Sequence, residues 1–264
     1  MPPLLLIAIG FLLAFPLAFR FARRRRSVPH RAEFWIYSNS KELLTAGSLK
    51  TAVGSLPGDL LGSEEIDLWT FTDVRWRLGD GDRRTLPHAF DPQILGVGLR
   101  EAEEITRSDR ITKILFVGDV GLEGFPLATV TAAALAAART LGATLIWDHV
   151  ARRAWIPRDL ATAVKRDGIV SPEVQLHHRW FDDGAHGVLR VLGFGKRGRH
   201  DLETLPVPTD FRVVAEATTD AYARHVWTGE TAPFSHEAYG DTFQVAARSG
   251  GRVTRVRIFR RRNG

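Results

Sequence analysis

From Pro2 to Phe19 the chain reads PPLLLIAIGFLLAFPLAF, eighteen residues without a charge or a strong hydrogen-bonding side chain. As a helix such a run reaches about 27 Å, close to the ~30 Å hydrocarbon core of a bilayer, and Phe21 and Ala22 lengthen it if Arg20 snorkels to the headgroups. A helix in a water-soluble core keeps one polar stripe, and this segment has none. Arg23, Arg24, Arg25 and Arg26 follow at once. The expectation is a transmembrane anchor over residues 1–22 and a basic juxtamembrane linker over 23–31, with Arg20, Arg23, Arg24, Arg25 and Arg26 at the membrane surface. A cleaved secretory signal fits less well, because the charge follows the apolar run and AFRFARRRR offers no A-x-A step. The positive-inside rule then leaves the amino end outside and residues 32–264 cytoplasmic, on a single-pass protein of the bacterial inner membrane.

Charge is gathered at the two ends. Of 36 basic groups, six arginines lie between Arg20 and Arg31 and six between Arg252 and Arg262, where no acid occurs; the remaining body carries 24 basic against 30 acidic groups. Such a body is not expected to wrap nucleic acid, whose partners gather basic residues on the folded surface. The partners expected are the membrane and an unidentified protein or small molecule. The absence of cysteine excludes a disulfide scaffold, a cysteine zinc ribbon and a thiol nucleophile.

Patterning within the body predicts an α+β fold with a mixed sheet, in one domain over 32–264 with a sub-boundary near 107–111. Residues 32–38 read as a strand and 41–53 as a helix, and residues 65–76 alternate as a long strand. Residues 79–84 (GDGDRR) lack the spacing of a calcium loop and read as a surface turn. Asp91-Pro92 opens a helix. Strand 111–117, the alanine-rich helix 126–141 and strand 143–147 make a β-α-β unit, with a right-handed crossover if the strands are parallel neighbours. The loop between, GDVGLEGF, lacks both a P-loop Lys-Ser/Thr and a dinucleotide fingerprint. Strands 173–181 and 186–194 form a hairpin around Asp182-Asp183-Gly184, a partly helical stretch covers 210–228, and 242–248 with 252–259 form a second hairpin.

His177, His178, Asp182, Asp183 and His186 make the densest group of chemistry-bearing residues, with Asp148 and His149 as possible neighbours. His177, His178 and Asp182 are the metal-ligand candidates; His177, His178, Asp148 and Asp201 are the catalytic ones. The strand period works against both, since adjacent histidines on one strand point to opposite faces. Asp182 and Asp183 also suit a hairpin turn for backbone reasons. No G-x-S-x-G or H-E-x-x-H motif occurs, and no cofactor is expected.

Residues 111–206 resemble a group of uncharacterised bacterial proteins with a domain of unknown function. The resemblance rests on Leu141-Gly142-Ala143, Leu145-Ile146-Trp147-Asp148, the strand Gln175 to Trp180, and Val191-Leu192-Gly193-Phe194-Gly195-Lys196 leading to Gly198 and Asp201-Leu202-Glu203. The group's phrase Leu-Gly-Met-x-Lys-Phe-Gly-x-Pro-Asp is met with Phe194 for Met, Arg197 for Phe and His200 for Pro. What the resemblance implies is a globular α+β domain in which Asp148, His177, Gly198 and Asp201 recur; it implies no activity. The functional expectation is a membrane-anchored interaction or regulatory module, with a tethered hydrolase or metal-dependent enzyme as the alternative.

Overall fold

The computed structural model describes residues 28–61, 64, 66, 76–82, 100, 103, 105, 107–118, 126–250 and 252–261. The described residues open with β1 (His30–Ser38), whose last seven residues are all buried. Thr45 then starts α1 (Ala46–Gly54) later than the apolar spacing predicts: its Oγ1 accepts from the Ser48 N–H at 3.1 Å, and Ser48 Oγ accepts from the Thr45 N–H at 2.9 Å. This reciprocal box satisfies two otherwise orphaned donors and fixes the helix start. A single turn, α2 (Gly58–Leu61), follows.

β2 (Trp76–Asp82) pairs antiparallel with β3 (Arg110–Gly118), so residues 79–82 belong to a ladder and not to the expected surface turn. The alanine-rich α3 (Leu127–Thr140) is buried without a break from Leu127 to Ala138. It lies on β1 and β3 and touches α1 and, on another flank, α4 (Pro157–Asp167). Only small side chains admit neighbours that close on several sides.

After α3 come β4 (Leu145–Asp148) and β5 (Arg153–Trp155), completing a five-stranded sheet of order β2-β3-β1-β4-β5. β1 runs antiparallel to both β3 and β4. β3 and β4 are therefore parallel but not neighbours: β1 lies between them, and the β-α-β unit is the split form. The condition for a simple crossover, that the two strands be parallel neighbours, is not met, because β1 enters between them from far upstream. The opposite face of this sheet is closed by Trp35, Tyr37, Ile105, Ile111, Leu145 and Trp147.

Ser171 caps the short α5 (Pro172–Gln175), with proline in its first turn, so the strand expected from residue 173 begins later, as β6 (His177–Asp182). β7 (His186–Leu192), β8 (Asp201–Thr204) and β9 (Val207–Pro208) follow. α6 (Arg212–Trp227) leads to β10 (Ser235–Ala238), β11 (Asp241–Gly250) and β12 (Val253–Arg260). The second sheet has the order β10-β11-β12-β8-β7-β6, with β9 on β7. Its one parallel pair is β8 with β12, which makes it a mixed sheet. Leu189, Val191, Leu202 and Val256 point to one face, where α6 covers them with Ala215, Ala223 and Trp227. The core continues from there through Phe194 to Phe34 and α3.

Among the described residues no helix is long and apolar enough to cross a membrane. The longest, α6, has 16 residues and buries only part of its surface. This corrects the expected architecture: an α+β fold of two sheets stands, with no transmembrane helix among the described residues. The run 1–22 and its arginines Arg20 to Arg26 lie outside the described residues, as do nearly all of the strand expected over 65–76, most of the helix after Asp91, and the loop 119–125.

Candidate functional site

Asp148 ends β4, and both of its oxygens are committed. Oδ1 accepts from the backbone N–H of Val150 at 3.2 Å and of Ala151 at 3.0 Å, which turns the chain toward β5. Oδ2 meets Nζ of Lys196, on the 3-10 turn Phe194–Arg197 between β7 and β8. Lys196 is completely buried and also donates to the backbone oxygen of Gln175 at 3.0 Å and to its Oε1 at 2.8 Å. Gln175 in turn donates from Nε2 to Thr131 Oγ1, on α3, at 3.0 Å. Burial pulls the Lys196 pKa below its ordinary value, and the Asp148 carboxylate opposes this. The network ties β4, α3, α5 and the 3-10 turn together, and an interior that dry holds a charge only when each polar atom has a partner. Lys196 stands inside the phrase that carries the resemblance; nothing in its local pattern marks it as the buried partner of Asp148.

Asp201 opens β8. Its Oδ1 accepts from the backbone N–H of Gly193 at 2.9 Å and of Phe194 at 3.0 Å, closing the loop that carries Lys196. Burial raises its pKa, and these two hydrogen bonds oppose the shift. Gly193 has φ +113°, and a Cβ there would lie 2.4 Å from the Gln175 carbonyl oxygen. Only glycine adopts that backbone and leaves room for the approach.

His177 and His178 point to opposite faces of the second sheet, as the strand period predicts. His177 Nδ1 donates to the Arg152 carbonyl oxygen at 2.9 Å, which assigns the proton to that nitrogen. Burial, reinforced by the neighbouring Arg153, pushes its pKa down to about 4. His178 turns toward α6, where its Nε2 lies 3.4 Å from Asp220 Oδ1 without an aligned hydrogen bond. Burial lowers its pKa as well, against the pull of Asp220. Asp220 is itself held by Arg224 Nε at 2.9 Å. The periodicity of 210–228 did not reveal that this carboxylate faces β6.

Asp182 and Asp183 serve the hairpin turn. Asp182 Oδ1 accepts from the Gly184 N–H at 2.7 Å and Asp183 Oδ1 from the His186 N–H at 2.8 Å. The Gly184 hydrogen bond also lowers the Asp182 pKa. His178 and Asp182 share a face but stand four residues apart on a strand, roughly 13 Å. The metal candidates therefore do not converge, and no group of three or more His, Asp or Glu among the described residues is arranged to hold an ion.

The depressions of the described surface include two that are bordered by arginine and aromatic side chains. One, of about 310 Å³, is bordered by Arg153, Trp155, Asp159, Arg166 and Glu173. The Arg153 guanidinium is already engaged there: it lies 3.6 Å from the Trp155 ring centroid and donates to the Glu173 and Leu176 carbonyl oxygens. The other, of about 290 Å³, is bordered by Arg199, His200, Tyr222, Ser249 and Thr254. Neither is lined by Asp148, His177, His178 or Asp201.

Compared with protein-family models, curated proteins and solved structures, the chain matches none. The resemblance over residues 111–206 therefore stands on the residues quoted for it alone.

Proposed function

We propose that the chain is a non-catalytic interaction module that acts by presenting a surface to a partner. The observation that carries this reading is the dispersal of the four catalytic candidates. Asp148 closes a buried ion pair, Asp201 caps a loop, His177 ties β6 to the β4–β5 connection, and His178 faces α6 from the other side of the sheet. General acid-base or nucleophilic chemistry needs such groups within hydrogen-bond reach of one reacting atom. Of these candidates His178 does face a carboxylate, Asp220, but at 3.4 Å and without an aligned hydrogen bond.

Turnover of simple ester and phosphoester substrates by the purified full chain, together with its metal content, tests the reading. Substoichiometric metal and turnover no higher than that of an H178A variant are expected. Stoichiometric zinc or iron, or a hydrolysis rate that H178A abolishes without unfolding the protein, would overturn it in favour of the enzyme.

A further inference from the structure

The face of the second sheet turned away from α6 carries a line of charge that only the strand register reveals. Arg179 on β6 pairs with Arg190 on β7, Arg190 with Glu203 on β8, Glu203 with Arg255 on β12, and Arg255 with Arg248 on β11. Cross-strand partners share a face, so four arginines and one glutamate form a row about 19 Å long over five strands. Arg257 and Phe259 continue the same face along β12, and Phe181 continues it along β6. Glu203 is taken by Arg190, whose Nε reaches its Oε2 at 2.7 Å. Arg248, Arg255 and Arg257 are exposed and form no ion pair among the described residues. Three guanidinium groups without an ion pair, on a face that no described helix covers, set up a local positive field.

We propose that this face docks on the surface of a bilayer that contains anionic phospholipid. The inference rests on the reading of the chain as an interaction module and names its partner. Three observations favour lipid over a nucleic-acid strand. The row lies on an open sheet face, with Arg257 and Phe259 set off from it along β12, and neither of the two depressions follows it as a strand-binding groove would. A single-strand platform stacks bases on open aromatic rings. Here the Phe181 ring, 40% exposed, already carries the Arg179 and Arg190 guanidinium groups at 5.1 and 5.0 Å, and Phe259, 41% exposed, stands apart from it at the far end of β12. In sequence the strip is followed by Arg260, which pairs with Asp241, and then by Arg261 and Arg262, while Arg20 to Arg26 precede His30. His30 lies against Gly198, close to where β8 begins.

Partitioning of the full chain onto phosphatidylcholine vesicles, with and without phosphatidylglycerol, tests the proposal. Binding driven by apolar side chains is common to both compositions, so the quantity read is the ratio between them. Each arginine near an anionic surface contributes roughly fivefold, so R248Q/R255Q/R257Q is expected to shrink the ratio on the order of a hundredfold. A charge-matched control, K41Q/R139Q/R158Q, is expected to leave most of the ratio, and thermal melts confirm that each variant is folded. Equal loss in the two triple variants, or no loss in the first, overturns the proposal. Single-stranded oligothymidylate serves as a third arm: salt-sensitive binding that R248Q/R255Q/R257Q abolishes while the lipid ratio persists identifies a nucleic-acid surface instead. Failure here leaves the non-catalytic reading intact, because metal and turnover test that reading separately.

Discussion

An ammonium group sealed from water persists only where each of its protons finds an acceptor, and Lys196 finds one oxygen of Asp148 and two of Gln175. His177 solves the opposite problem by shedding its charge. Its pKa of about 4 in the folded chain lies below the ordinary value of 6.5, so it is the neutral ring that the fold stabilises. That contribution is complete above about pH 6.5 and is lost as the pH falls toward 4, the window in which the unfolded chain binds the proton first. Urea unfolding of H177N against the parent across this window checks the sign. The gap between the two is expected to narrow as the pH drops, and a gap that widens contradicts the assignment. The opposed orientation of His177 and His178 was legible from strand alternation alone. The partner of Asp148 was not, because a lysine in a glycine-rich turn reads as solvated until the loop is folded back under β4.

At the scale of elements, α3 was legible by its alanines and by the glycine that follows it, and so were both C-terminal hairpins. Its crossover was not. Periodicity locates a helix between two strands but says nothing of a third strand inserted between them, and β1 comes from the far end of the described chain. The start of β6 was misplaced for a local reason: Ser171 and Pro172 nucleate a helical turn in a stretch whose apolar alternation suits a strand. Close approach around α3 makes a specific demand on volume. Ala134 is completely buried among neighbours on several sides, so A134L should destabilise by about 1–3 kcal/mol through overpacking. A thermal melt that rises or stays level would mean that space exists beside the helix.

For the whole molecule, the two sheets share one continuous core, and the polar residues that composition alone marks as catalytic candidates lie largely at the joints. Charge shows the same dependence on register. Arg179 and Arg190 lie far in sequence from Arg248 and Arg255, and counting residues assigned the basic excess to the chain ends alone; pairing brings these arginines into one row. We propose that Asp148 and Asp201 hold structure, a role that stability separates from catalysis. Residues kept for catalysis commonly cost stability, and their removal tends to leave a protein as stable or more so. Residues that close buried networks behave the other way. The most direct measurement is the unfolding free energy of D148A and D201A from urea titration. D148A leaves Lys196 buried and unpaired and is expected to lose about 3–5 kcal/mol. D201A strips the acceptor from two backbone N–H groups and is expected to lose about 3 kcal/mol. Two variants as stable as the parent would mean that neither carboxylate is held for structure.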